Sequence, residues 1–287
     1  MSSELIGVLA SLSAALTWSI AAIFYKKGEL GLNSFESNAL RCILPLATLI
    51  PVAIYINGLG FLKVDLQVLT YTFIATIVAL LIGDTFYLSS IEMAGVSIAV
   101  SASYTFPIFT SIIAYFFLGE EVTSFTFIGV ILTVLGIWLL SYENKQKTSS
   151  NLRRGVVFAV LASVFWASGI SLYRYILFNY DPFSLTVLRM IILTLLLTPV
   201  LIKALRKASR ENIIYLNIGG FFALALGGIL LYYGLDLIGA ARTSTISSVT
   251  PLFSVILAIV LLKEKLTLMQ GLGIASITTG LMLVSLF

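Results

Sequence analysis

Residues 105–121 read TFPIFTSIIAYFFLGEE, and residues 249–265 read VTPLFSVILAIVLLKEK. Each stretch sets a proline early in a long apolar run and closes the run with leucine and glutamate. Pro107 answers to Pro251, Phe109 to Phe253, Ala114 to Ala258, Leu118 to Leu262 and Glu120 to Glu264, all at one offset, 251 − 107 = 144. Gly83 pairs with Gly227, Gly95 with Gly239, Thr123 with Thr267, Gly129 with Gly273, Gly136 with Gly280 and Ser141 with Ser285 at the same offset. Nearer the N-terminus the offset becomes 189 − 41 = 148, pairing Gly7 with Gly155, Trp18 with Trp166, Tyr25 with Tyr173, Lys26 with Arg174, Phe35 with Phe183, Arg41 with Arg189 and Pro51 with Pro199. Apolar bias alone produces Leu and Ile coincidences. Trp, Arg, Pro and Glu falling in register mark an internal duplication.

The solvent of this chain is not water. Of its 287 residues 59% are apolar and 10% charged, with a mean hydropathy of +1.07, whereas soluble domains carry roughly a quarter charged residues. A membrane helix takes about 20 mostly apolar residues, and ten such spans are predicted, near 5–25, 37–56, 69–89, 97–118, 125–141, 155–175, 183–202, 213–234, 241–262 and 268–287. The MSSEL start lacks a basic n-region and the first apolar run exceeds a signal h-region, so that run is read as a retained span. Lipid leaves backbone groups no partner outside their own element, so each span is expected to be helical.

The duplication then orders the spans. Residues 1–142 form one five-helix repeat, 143–154 (ENKQKTSSNLRR) a polar linker, and 155–287 the second repeat. An odd number of crossings per repeat sets the second half upside down relative to the first, and inverted repeats of this kind place a substrate site near mid-membrane between the halves. The expected architecture is an all-α integral membrane protein, ten transmembrane helices in two inverted five-helix repeats.

The segments GVSIAVSASYTFPIFTSIIAYFFLGEEVTSFTFIGVILTVLGIWLL, from Gly95, and GAARTSTISSVTPLFSVILAIVLLKEKLTLMQGLGIASITTGLMLV, from Gly239, resemble the drug/metabolite transporter superfamily, specifically its EamA-type ten-helix members. The likeness covers nearly the whole chain. It implies export or exchange of a small metabolite, driven by a proton gradient or a counter-substrate, in a family whose substrates run from amino acids to drugs. The function expected is a secondary transporter in the plasma membrane, with lipid and a small-molecule substrate as partners and a monomer or homodimer as the assembly.

Other function classes fit less well. The chain has one cysteine, Cys42, and no histidine, which removes His bases, His–Cys zinc sites and intrachain disulfides. No metal, cofactor or nucleic-acid site is expected. A channel wants a ring of like residues or a continuous polar pore, and a membrane-embedded enzyme wants a clustered nucleophile and base.

Candidate site residues follow from polar groups inside apolar spans. Asp84, in LLIGDTFYLSS, is the clearest intramembrane carboxylate. Such a residue costs about 2.5–3.5 kcal/mol on insertion scales and is a functional candidate by default. It is the proton-coupling candidate, against the alternative of an Asp held by Thr85 or Tyr87. Arg41 and Arg189 either hold an anion, pair with Asp84, or snorkel to headgroups. Trp18 and Trp166, with Tyr87, Tyr104, Tyr232, Ser101, Ser244 and Ser248, are candidates for the substrate cavity, while Tyr25 and Tyr173 read equally as interfacial anchors. Pro107 and Pro251 are candidate hinges, each preceded by hydroxyls able to satisfy carbonyls freed by a kink. Glu120 and Glu264 read as gating residues or as solvated helix-end charge. The glycine pairs of the fifth and tenth spans read as close-packing seams.

Twelve of the seventeen basic residues fall in odd-numbered loops. The positive-inside rule puts those loops in the cytoplasm and both termini outside. The resemblance implies the reverse for the termini.

Overall fold

The computed structural model describes residues 2–118, 125, 128, 129, 131, 132, 135, 136, 139, 150–247 and 249–286. Glu120, Thr123, Ser141, Ser248 and residues 143–149 of the linker lie outside the described residues, as do the expectations placed on them.

Among the described residues the regular structure is helical, with no strand. In chain order the first half contains α1 (Ser3–Gly28), α2 (Ser34–Leu40), α3 (Ile43–Asn57), α4 (Leu66–Ala75), α5 (Asp84–Ala94), α6 (Val96–Ser103) and α7 (Phe106–Leu118). The second half contains α8 (Ser150–Ile176), α9 (Pro182–Lys207), α10 (Arg210–Gly220), α11 (Gly227–Ser247), α12 (Thr250–Leu262) and α13 (Leu268–Leu286). A π-helical segment, Thr76–Gly83, fuses α4 to α5, and another, Phe221–Leu226, fuses α10 to α11. Six described helices are long and apolar enough to cross a membrane, and Thr250–Leu262 is a shorter apolar helix. This is a multi-pass membrane protein.

The repeat governs the helix ends. Asn33 Oδ1 accepts from Glu36 N to start α2, and Asp181 Oδ1, 148 residues on, accepts from Ser184 N to start α9. Asp65 caps α4 and Ser209, 144 residues on, caps α10. Each such cap contributes about 1 kcal/mol, and its position survives although the residue type changes. Gly95 and Gly239 adopt nearly identical backbone angles, φ 82° and ψ 168° against φ 81° and ψ 172°. Only glycine reaches that region without strain, so Gly95 turns the chain between α5 and α6, and Gly239 kinks it inside α11.

Two expectations about the helices are corrected. Neither proline sits inside a helix: α6 ends at Ser103, Pro107 is the second residue of α7, and Pro251 is the second residue of α12. A proline there loses nothing, because first-turn N–H groups have no intrahelical acceptor. Hydroxyls bond to carbonyls of the preceding turn at both breaks. Ser103 Oγ donates to Val100 O and Thr105 Oγ1 to Ala102 O; Ser247 Oγ donates to Ser244 O and Thr250 Oγ1 to Ser247 O. The second span is also broken, with Arg41 and Cys42 between α2 and α3. Pro45 follows that break, whereas its repeat mate Leu193 lets α9 run on without interruption.

The halves pack reciprocally. α1 lies against α10, α11 and α12 of the second half, and its mate α8 lies against α4, α5, α6 and α7 of the first. A face of small residues on α1 is buried, with Ser11, Ala14, Ala15, Ala21 and Ala22 essentially inaccessible. Gly136 packs closely on α13, where a Cβ on it would lie 2.6 Å from Gly273 O.

Candidate functional site

The reciprocal packing leaves a cavity of about 100 Å³ between the halves. Trp18, Tyr87, Tyr104, Trp166, Tyr232, Asp84, Arg41 and Arg189, all expected at the site, line it. Ser101 and Ser244 are buried and do not line it. Ser101 Oγ donates to Ser97 O at 2.7 Å, inside its own helix.

Asp84 is held on both sides. Trp166 Nε1 donates to its Oδ1 at 2.7 Å, and Arg41 Nη2 donates to its Oδ2. Arg41 also donates through Nε and Nη2 to Asn38 Oδ1, at 3.1 and 2.8 Å. Asn38 turns its amide nitrogen to Leu80 O at 2.9 Å and Thr85 Oγ1 at 3.0 Å. Leu80 belongs to the first π-helical segment; such turns disturb the i→i−4 ladder and recur at functional sites. Thr85 therefore touches this network through Asn38, while the partners of Asp84 itself are Trp166 and Arg41.

The second half repeats the plan without the carboxylate. Leu224, the mate of Leu80 (224 − 80 = 144), lies in the second π-helical segment, and its carbonyl accepts from Arg189 Nη2 at 2.8 Å. Trp18 Nε1 donates to Ala223 O at 3.3 Å. The mate of Asp84 is Gly228, and a Cβ there would overlap Arg189 Nη2. Arg189 Nε has no hydrogen-bond partner. Each guanidinium stacks on a tyrosine, Arg41 on Tyr25 at 5.0 Å and Arg189 on Tyr232 at 4.7 Å.

These positions correct three of the alternatives weighed from sequence. Arg41 and Arg189 are 2% and 4% exposed, so neither snorkels. Tyr25 and Tyr173 are buried and line the cavity, so they are not interfacial anchors. Glu264 is not simply solvated: Oε1 accepts from Val96 N at 2.8 Å, and Oε2 accepts from Ser97 N at 3.1 Å and Ser97 Oγ at 2.7 Å. It reaches from the second half to cap the start of α6, where the helix dipole favours an anion.

Aromatic rings fill the space between the charges. Tyr104 lies between Trp18 and Trp166, at centroid distances of 6.3 and 6.2 Å. Tyr87 meets Trp166 at 5.0 Å. The two tryptophans are also set by glycine: a Cβ on Gly83 would come within 3.0 Å of Trp166 Cδ1, and one on Gly227 within 2.6 Å of Trp18 Nε1. Asn38 and Phe106 were not singled out from sequence. Asn38 left one signal, an amide three residues before Arg41 and hence on the same helix face.

A second titratable group lies at the end of α1, outside the span. Glu29 is buried beside Lys26, its Oε1 3.3 Å from Lys26 Nζ. Burial pushes its carboxyl up to about 8, with Lys26 opposing part of the rise. Lys26 Nζ also donates to Ile91 O and Glu92 O at the end of α5.

The model of the EamA-like transporter family matches this chain twice, over residues 5–142 and 153–286. An uncharacterized transporter of Archaeoglobus fulgidus is 26% identical over 97% of this chain and 98% of its own length. An uncharacterized transporter of Clostridium kluyveri is 24% identical over 91% of this chain and 89% of its own. Among solved structures, a crystal structure 17% identical in sequence superposes with a TM-score of 0.66, covering 98% of this chain and 96% of that one. At that identity the likeness concerns the fold.

Proposed function

The chain belongs to the EamA-like transporter family, and on that footing we propose that it is a secondary transporter moving a small metabolite, such as an amino acid, a related solute or a drug-like compound, across the plasma membrane by alternating access, as exporter or exchanger. The family and its transporter-named relatives point to a transporter rather than an enzyme. In this reading the ten spans form inverted halves, 1–142 and 155–287 joined by 143–154, and the joints before Pro107 and Pro251 flex as the halves rock.

The observation that supports the reading best is the bond from Trp166, in the second half, to Asp84, in the first, inside a cavity that both halves line. Asp84 is the proposed proton carrier. Both of its oxygens accept hydrogen bonds, and a proton on either one removes the negative charge that strengthens them. Protonation therefore loosens Asp84 from Trp166 or from Arg41, and the tie between the halves weakens with it. A carboxylate in that position converts proton binding into movement of one half against the other.

The reading is tested by solute counterflow in proteoliposomes loaded with a metabolite mixture. A transporter gives saturable uptake of a labelled solute that is accelerated by the same solute inside. Uptake that rises linearly without counterflow describes a channel, and a chemically altered solute describes an enzyme; either result overturns the proposal.

A further inference from the structure

Resting on the transporter reading, we infer that the second half carries an anion subsite, in which Arg189 receives the carboxylate of a small monocarboxylate whose apolar body lies against Trp18, Trp166 and Tyr104. The case starts from charge. The cavity is lined by Arg41, Asp84 and Arg189, and one carboxylate against two guanidiniums leaves one positive charge. Arg41 is paired. Among the described residues no carboxylate lies within ion-pair distance of Arg189. A guanidinium keeps its proton in proteins, and a buried charge without a counter-ion is strongly unfavourable.

The repeat shows what is missing. Where the first half has Asp84, the second has Gly228, and Arg189 Nη2 stands where a side chain on Gly228 would begin. Among the described residues Arg189 Nη2 donates to Leu224 O, and its Nε has no hydrogen-bond partner. A guanidinium offers five donors in a planar fork suited to a carboxylate. The ligand's carboxylate would thus supply in the second half what Asp84 supplies in the first. Size and charge restrict the ligand further. A cavity of about 100 Å³ is somewhat smaller than the ~150 Å³ apolar cavity that holds a benzene, room for a short branched acid. A single uncompensated cation matches a monoanion, whereas a phosphate dianion would be left with excess charge. The remaining walls are aromatic and aliphatic, as ligand pockets are around a few polar groups.

Isobutyrate and isobutyramide have the same shape and differ in charge, so they separate anion recognition from fit. Titrations of the full-length Trp138→Phe protein in detergent, read by the fluorescence of Trp18 and Trp166, are expected to show isobutyrate binding about tenfold or more tightly than the amide. Arg189→Gln is expected to remove that preference. Gly228→Asp, which sets a carboxylate beside Arg189 and obliges the guanidinium to shift because a Cβ there overlaps Nη2, is expected to remove it as well. Equal binding of the two compounds by the Trp138→Phe protein, binding of neither, or an unchanged preference in a folded Arg189 or Gly228 variant overturns the inference. If either variant fails to fold, the comparison in the Trp138→Phe protein still decides. Isobutyrate binding through Arg189 with no counterflow of any solute would sink the transport reading and leave the anion site standing. Counterflow with isobutyrate binding indifferent to Arg189 would do the opposite.

Discussion

Trp166 Nε1 lies 2.7 Å from Asp84 Oδ1, and this hydrogen bond crosses from one half of the molecule to the other. Trp166→Phe keeps the ring and removes the donor, leaving a carboxylate oxygen unsatisfied inside the protein. The expected result is a loss of about 1–3 kcal/mol in stability and a slower exchange rate. Asp84→Asn, by contrast, is expected to retain solute exchange and lose gradient-driven accumulation. Paired flux assays with and without a pH gradient check both, and unchanged uphill transport in Asp84→Asn would remove that residue from coupling.

The two tryptophans are seated against glycines at unequal clearance. A Cβ on Gly227 would reach Trp18 Nε1 at 2.6 Å, and one on Gly83 would reach Trp166 Cδ1 at 3.0 Å. Overpacking of this kind costs about 1–3 kcal/mol. Gly227→Ala is therefore expected to lower the melting temperature more than Gly83→Ala, and the reverse order in a thermal-shift series would contradict the packing described.

Glu264 ties the end of α12 to the start of α6 through three acceptor contacts. Removing a charged cap costs about 1 kcal/mol. Glu264→Ala should lower stability by that order. In a Cys42→Ser background it should also speed maleimide labelling of Val96→Cys, because Val96 is wholly buried while the cap is in place. Equal labelling rates with and without Glu264 would show that the cap does not hold this end shut.

Glu29 sets a pH dependence outside the span. Its carboxyl is raised from 4.5 to about 8, first by burial, so the folded protein binds this proton more tightly than the unfolded chain does. A group raised in this way gives its full stabilisation below pH 4.5 and loses it as pH climbs towards about 8. The melting temperature of the wild type should fall across that window, and that of Glu29→Gln should be flatter. Parallel curves for the two proteins would contradict the burial described for Glu29.

Much of this arrangement was legible because the chain states it twice. Gly95 and Gly239, matched in the sequence, adopt the same backbone angles, and Trp18 and Trp166, matched likewise, line one cavity. The direction of Arg41 and Arg189 was not legible, since helical period assigns a face but not the neighbour that covers it. Asn38 gives the clearest case. Its amide is needed because a π-helical segment presents Leu80 O to it, and nothing in a run of apolar residues announces a π turn. The prolines misled for a different reason: Pro107 and Pro251 read as kinks within one long helix, whereas the chain ends one helix and starts another just before each.

The central claim is that the halves rock about a shared cavity, so opening at one end accompanies closure at the other. Cross-half ties mark the two ends. Asn212 Nδ2 donates to Gly28 O and Leu30 O at one, and Tyr180 Oη donates to Phe61 O at the other. The span 34–56 separates them by 23 residues, about 34 Å of helix. The direct measurement is a pair of spin-label distances in reconstituted protein, Leu30 to Arg210 and Leu59 to Phe178, all exposed sites, taken at pH 5 and pH 8 with and without isobutyrate. Rocking requires the two distances to shift in opposite senses. Distances that stay fixed, or that lengthen and shorten together, would contradict it.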